Sequence, residues 1–302
     1  VDRALVLITD PAGAATQVVL MKEGDEVVPG RLLVDFQTNP HTYTLAAGGR
    51  VLCVPDMDGD TTTDTGLLYH DGTAWSFVAR EGDPCPAVPG RNYGNFGTVP
   101  CDINNTGAWA ARITLDNSVT TDDSVIIRNG ADVIAREGSP VHGVPGFNFS
   151  GFGTGAVHID DSGNVYYYGT WTDAGTSFTD AGLFRNGELL VRNGFTTASS
   201  GETVTDIAGV QDNFVISDNG RFLLFEGDLT DSFAFTRRGT ILVQISGCPA
   251  DFNNSGSVTV QDIFDFLGAY FAGSPTADFN GAGGVTVQDI FDFLAAYFTG
   301  CA

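Results

Sequence analysis

Residues 103–111 read INNTGAWAA, a polar turn closed by glycine and followed by an apolar run, and the same pattern occurs four times in the chain. The copies are LAAGGRVLC (45–53), INNTGAWAA, IDDSGNVYY (159–167) and ISDNGRFLL (216–224). Their turn glycines, Gly49, Gly107, Gly163 and Gly220, recur at an almost constant step. A second marker keeps that step: VLMKEGD, FVAREGD, VIAREGS and LLVRNGF contain Gly24, Gly82, Gly138 and Gly194. A VPG loop recurs as well, ending at Gly30, Gly90 and Gly146. Self-similarity at a fixed period is the mark of a repeat architecture, in which one unit buries its faces only by stacking on the next.

Each unit reads as four short strands. FGTVPCDI (96–103) leads through the turn into AWAARITL (108–115), and SVIIR (124–128) turns at Asn129-Gly130 into ADVIAR (131–136). Four strands per repeat, separated by polar turns, predict a mainly β protein with a β-propeller-like repeat domain of four-stranded blades over residues 1–246. About four to five blades are visible on this pattern. The strands of RALVLIT and TQVVLMKEG lead the array as a pair that lacks two companions, so the chain is expected to be processed or truncated at its N-terminus.

The C-terminal stretch, 247–302, changes character. Asp251 and Asp278 each begin a twelve-residue segment, DFNNSGSVTVQD and DFNGAGGVTVQD, and each segment runs into a helix-like stretch, IFDFLGAYF or IFDFLAAYF. Calcium in such a loop takes hard oxygens from positions 1, 3, 5, 7, 9 and 12, with a glycine at the bend. The first loop offers Asp251, Asn253, Ser255, the Ser257 carbonyl, Thr259 and Asp262. The second offers Asp278, Asn280, the Gly284 carbonyl, Thr286 and Asp289, but Ala282 at its fifth position donates nothing, which predicts the weaker site.

Two copies of DxNxxGxVxxxD, each followed by one helix, resemble a type I dockerin, and Gly247-Cys248 with Gly300-Cys301 is similar to its GC-type variant. The resemblance covers 247–302 and implies a small EF-hand-like domain that folds on binding two Ca2+ ions and docks onto a cohesin-like receptor. It implies a docking face near Val260, Gln261 and Phe264 in the first copy and Val287, Gln288 and Phe291 in the second. Because the copies are nearly identical there, either can present the same face. The helices are apolar nearly all round, with Ile263, Leu267 and Tyr270 on one side and Phe264 and Phe271 displaced from it. The competing expectation is that every aromatic packs away inside the protein. The repeats upstream, over most of 20–225, resemble NxxGxxxAF-like tandem-repeat proteins of bacteria, which implies an architecture and no activity.

One acidic hairpin loop stands out in the repeats. PDMDGDTTTD places Asp56, Asp58, Asp60 and Asp64 close together and resembles the DxDGDGxxD calcium loop of FG-GAP-type propeller repeats, with Thr61 in place of the second glycine. Calcium is expected there, the alternative being a solvated acidic turn.

Composition excludes several partners. With 37 acidic against 14 basic residues, a formal charge of −23 and Lys22 as the only lysine, the surface repels phosphate backbones and anionic lipid, so neither nucleic acid nor membrane insertion is expected. No run reaches the roughly 18 apolar residues of a membrane span. Cys248 and Cys301 flank the duplicated unit and read as a disulfide staple of an extracellular module, while Cys85 and Cys101 bracket a glycine-rich loop and are candidates for a second bridge. Cys53, in an apolar strand, reads as a buried free thiol. His41, His70, His142 and His158 stand in no catalytic motif, and no GxSxG, HExxH or P-loop occurs. Trp109, Tyr166, Tyr167, Tyr168 and Trp171 read as strand core rather than as a sugar-stacking platform. The resulting expectation is a secreted or cell-surface, non-catalytic propeller anchored by its calcium-dependent tail for adhesion or complex assembly. The alternative is a glycan-binding or hydrolytic subunit of an extracellular polysaccharide-degrading assembly.

Overall fold

At each of the four turn glycines the chain reverses between two antiparallel strands. Gly49, Gly107, Gly163 and Gly220 all have φ between 68° and 91°, a conformation that a side chain would strain. In the computed structural model, which describes residues 3–9, 16–36, 43–97, 99–116, 120–172, 179–209, 213–245, 248, 250–253, 258–280 and 284–299, the chain is mainly β. The described residues form six separate sheets and two short α-helices, α1 (Val260–Phe271) and α2 (Val287–Thr299).

The sheets follow the repeat. Tyr43–Ala46, Arg50–Cys53, Gly66–His70 and Trp75–Arg80 form one four-stranded antiparallel sheet in that order. Cys101–Ile103, Trp109–Thr114, Ser124–Arg128 and Asp132–Arg136 form the next. The third runs Val157–Ile159, Val165–Thr172, Thr179–Arg185 and Glu188–Arg192, with Phe149–Gly151 added on its long second strand. The fourth joins Phe214–Ile216, Phe222–Thr230 and Thr236–Gln244, with Thr203–Ile207 added in the same way. Ahead of them lie the hairpin Ala4–Thr9/Thr16–Lys22 and a small sheet of Glu26–Val28, Arg31–Phe36 and Pro55–Met57.

Alternation along each strand decides which neighbour a residue meets. In the second repeat Trp109, Ala111 and Ile113 join Leu52, Leu67 and Ala79 of the first in one buried cluster. The intervening Ala110 and, on the next strand, Ile126 pack instead with Ile159, Val165 and Tyr167 of the third repeat. Trp109, Tyr166, Tyr167, Tyr168 and Trp171 are all buried, so they are packing residues and present no stacking platform.

The marker around Gly24, Gly82, Gly138 and Gly194 is a hydrogen-bonded loop. The four glycine N–H groups donate to the carbonyls of Leu33, Tyr93, Phe149 and Val204 at 2.7–2.9 Å. Within it Cys85 N donates to Arg91 O, Val141 N to Phe147 O and Ala198 N to Glu202 O, each at 2.8 Å. The fourth repeat therefore keeps the loop although its sequence, TTASSGE, retains only the glycine, Gly201, of VPG. The arginine before the marker is also repeated. Arg80 donates to Thr63 O and Arg136 to Asp122, each in the loop between the second and third strands of its sheet, and Arg192 donates to Asp180 at the start of the third strand of its own.

A polar line crosses the repeats at equivalent positions of their first strands. Thr44 Oγ1 donates to Asp102 Oδ1 at 2.7 Å, and Asp102 Oδ2 accepts from Ile159 N at 3.0 Å and lies 3.3 Å from His158 Nδ1. His158 Nε2 continues the line to Phe214 O at 2.9 Å. Burial pushes the Asp102 carboxyl up, but the hydrogen bond and charge of His158 and the bonds from Thr44 and Ile159 outweigh it and hold the group below its ordinary value. A carboxyl held low in the fold stabilises it above the unfolded pKa, and that contribution is lost as pH falls through the folded value. Between about pH 6 and about pH 3, spanning the ordinary carboxylate range, the wild type is expected to lose more melting temperature than Asp102→Asn, as read by circular dichroism. Parallel losses would contradict this.

The bridge expected between Cys85 and Cys101 does not form. Both are buried thiols outside any disulfide: Cys85 lies against Tyr93 inside the marker loop, and Cys101 turns into the core from its strand. Packing of Val88, Tyr93, Phe96 and Val99 into one buried cluster with both cysteines, rather than a crosslink, fixes the segment between them. Cys53 is a free thiol as expected, with burial pushing it up to about 12.

By contacts the chain divides into two units. The first comprises 1–159, 163–215 and 224–241, and the second 160–162, 216–223 and 242–302. Neither helix is long and apolar enough to cross a membrane.

Candidate functional site

Thr259 starts α1 because its backbone is extended and its side chain accepts from Gln261 N, while Asp262, the third residue of the helix, reaches back to Thr259 N at 2.7 Å. This reciprocal capping box satisfies N–H groups that a helix start leaves open, and a carboxylate there also meets the positive end of the helix dipole. Asp262 is at the same time position 12 of the loop. Its other oxygen accepts from Asn253 N at 3.1 Å, so one carboxylate braces positions 3 and 9 together.

The second copy repeats the bonds to its position-12 carboxylate. Asp289 accepts from Thr286 N at 2.7 Å, from Thr286 Oγ1 at 3.0 Å and from Asn280 N at 3.2 Å. Position 1 is braced as well, with Gly284 N donating to Asp278 Oδ2 at 3.0 Å. Asp262 and Asp289 are fully buried and Asp251 nearly so. Burial raises the Asp262 carboxyl, but the bonds from Thr259 and Asn253 outweigh it and leave the group below its usual range. For Asp289 the hydrogen bond from Thr286 N is the main cause of the same depression.

These donors fit calcium. The Asp251 carboxylate lies within hydrogen-bonding reach of Asp262, and two carboxylates so placed repel unless a proton or a cation lies between them. Asp251, Asn253, Thr259 and Asp262, with Asp278, Asn280, Gly284, Thr286 and Asp289, are the described residues that would hold the ions. Ser255, Ser257 and Ala282 lie outside the described residues, as do Gly247, Gly300 and Cys301. Cys248 is disulfide-bonded.

The helices divide their apolar residues in two. Phe266 and Phe293 stack face to face, with ring centroids 4.2 Å apart, and Ile263, Leu267 and Tyr270 pack on that core with their counterparts Ile290, Leu294 and Tyr297. Val260, Phe264 and Phe271 are instead exposed at 59%, 63% and 80%, and Val287, Phe291 and Phe298 match them at 59%, 61% and 78%. The aromatics do not all pack away. Each helix shows an apolar stripe, with Gln261 or Gln288 beside it, also exposed.

The acidic loop at 56–64 is arranged differently. Asp58 accepts from Leu32 N at 2.7 Å and lies 3.8 Å from Arg31 Nε, and Asp60 accepts from Thr62 N and Oγ1 at 3.0 and 2.9 Å. Asp56 stands opposite Asp35 in the strand ladder, and burial, then Asp64, then Asp35 raise its carboxyl above the ordinary value. Arg31 also donates to Thr63, and the loop lies so close over it that a side chain at Gly59 would come within 3.0 Å of the guanidinium. Sequence spacing alone missed Arg31 and Arg80, although the arginine before the EG marker at 81–82 was a visible signal.

Two of the histidines have structural partners. His70 is buried, its Nδ1 3.2 Å from both Gly49 O and Gly72 N, and its ring against Trp75. His158 lies in the polar line, His142 is exposed, and His41 falls outside the described residues.

Residues 2–261 match the model of a family described as "Family of unknown function (DUF7453)". No curated protein matches the chain. A crystal structure of a protein of unknown function from Dyadobacter fermentans DSM 18053 is similar at 12% identity and a TM-score of 0.30, over 68% of this chain and 52% of that one. The chain thus spans about half the length of that protein, and a likeness so low carries no argument about either.

Proposed function

We propose, for a chain that belongs to the DUF7453 family of unknown function, a secreted, non-catalytic repeat protein held in place by a calcium-dependent docking module. In this reading residues 1–246 are propeller-like blades that present their loops for recognition, and residues 247–302 are a dockerin that binds a cohesin-like receptor, serving adhesion or extracellular complex assembly. The observation that carries the reading is the duplication of the loop–helix unit down to its hydrogen bonds, with buried acidic residues in each loop and an exposed apolar stripe on each helix. Calcium, when bound, supplies the positive charge that lets these carboxylates stay ionised together. The stacking of successive four-stranded sheets through alternate faces supports the blade arrangement. The disulfide at Cys248 supports an oxidising, extracellular setting, with Cys301 as its proposed partner.

Retention of the full chain on an immobilised cohesin domain tests this directly. Binding is expected with calcium and not with EDTA, and equal retention in both would sink the docking reading. The two loops should also differ. Asp251→Ala is expected to weaken total calcium binding more than Asp278→Ala, because the second loop lacks a donor at Ala282. Isothermal titration calorimetry giving equal losses would remove that ranking.

A further inference from the structure

We infer that Asp265 and Asp292 are positioning residues that couple each calcium loop to the docking face beside it. The inference rests on the calcium and docking reading above and concerns how the two are linked. Asp265 Oδ2 accepts from the Asn253 side-chain Nδ2 at 2.7 Å, and its Oδ1 accepts from Gln261 Nε2 at 2.8 Å. In the second copy Asp292 takes Asn280 Nδ2 at 2.8 Å and Gln288 Nε2 at 2.9 Å. One carboxylate thus holds loop position 3 with one oxygen and the docking-face glutamine with the other, and the arrangement occurs twice.

The chemistry sets both amides. An ionised carboxylate only accepts, so each amide must turn its NH2 toward it and its oxygen away. For Asn253 and Asn280 this assigns the oxygen to the role of a hard calcium donor. For Gln261 and Gln288 it commits the N–H to the helix and leaves Oε1 to receive a donor from the partner, next to the Val260–Phe264 or Val287–Phe291 stripe. Neither helix carries a basic residue in its last turn, and none occurs anywhere in α1 or α2 to draw the carboxylate off by charge. A cation that fixes the asparagine therefore fixes the aspartate rotamer, and through it the glutamine. Loss of the cation frees all three together.

The duplication supplies an internal control. In the full chain, the side-chain NH2 resonances of Gln261 and Gln288 are expected to shift on titration with calcium chloride, together with the backbone amides of Asp262 and Asp289. In Asp265→Ala the Gln261 shift is expected to fall at least about threefold, as the loss of the side-chain hydrogen bond to Asp265 implies, while Gln288 and Asp262 respond as before. Asp292→Ala should give the mirror result. The nearly isosteric Asp265→Asn, which retains the shape of the side chain, should also reduce the Gln261 response and serves if the alanine variant loses its helix signals. An undiminished Gln261 response in Asp265→Ala, or in Asp265→Asn where that variant serves, overturns the coupling. If Asp262 and Asp289 do not respond in the wild type, the calcium reading fails and the coupling falls with it, a result distinct from the first.

Discussion

Phe266→Ala is expected to abolish the helical fold of the C-terminal module while the β-sheet signal of the repeats persists. Phe266, Phe293 and Ala277 are the fully buried residues of its core, and the two rings stack in parallel at 4.2 Å. Phe252 and Phe279 close the sides edge-on, at 5.3 and 6.2 Å from Phe266. Truncating a buried phenylalanine to alanine costs about 3–5 kcal/mol, through lost burial and the cavity left behind. A module of this size rarely has more than about 3–5 kcal/mol from one small core. The loss therefore matches the whole reserve. Far-UV circular dichroism and a calcium titration should report it together. The exposed neighbour Phe264→Ala should stay within about 0.5 kcal/mol of wild type, as surface changes usually do. A cooperative helical melt retained in Phe266→Ala would show that the core is not organised around this pair.

Asp102→Ala should be the most damaging single change among the polar residues of the repeats. Its carboxylate accepts from Thr44 Oγ1, Ile103 N and Ile159 N and faces His158, so it pins the first strands of three successive repeats. Removing it strands these donors in a mostly buried place, at about 1–3 kcal/mol for an orphaned donor and about 3 kcal/mol in all once the loop relaxes. Denaturant unfolding should show a lower midpoint with an unchanged slope. A Thr44→Val change removes one bond and should cost only about 1 kcal/mol. If Asp102→Ala costs no more than that, the line across the repeats is incidental to stability.

The repeat was legible because its signals are local. A glycine that must take positive φ, a second glycine marker and alternating apolar runs recur at an almost constant step without reference to anything distant, and the sheets follow them. The fourth copy of the marker loop was hidden, because TTASSGE makes the same hydrogen bonds with only the glycine, Gly201, of the VPG letters. Contacts stayed hidden where the partner lies far along the chain. Spacing puts Asp56, Asp58, Asp60 and Asp64 in one loop, but it does not show that Asp58 takes the N–H of Leu32, 26 residues away, and sits beside Arg31. The Thr44–Asp102–His158 line could not be seen before the first strands were known to lie side by side. Cys85 and Cys101 looked like a bridge because sequence does not tell which thiols turn inward. In the C-terminal module the loop positions were readable from the twelve-residue pattern, whereas the tie from Asn253 through Asp265 to Gln261 needed the helix turn to appear.

Calorimetric titration of calcium into the metal-free full chain, followed by far-UV circular dichroism with and without EDTA, tests the calcium-dependent module most directly. Two ions per chain at unequal affinity are expected, with a helical signal that weakens on chelation and returns with calcium. No heat of binding, or a helical signal and melting curve indifferent to EDTA, would contradict a calcium-dependent module.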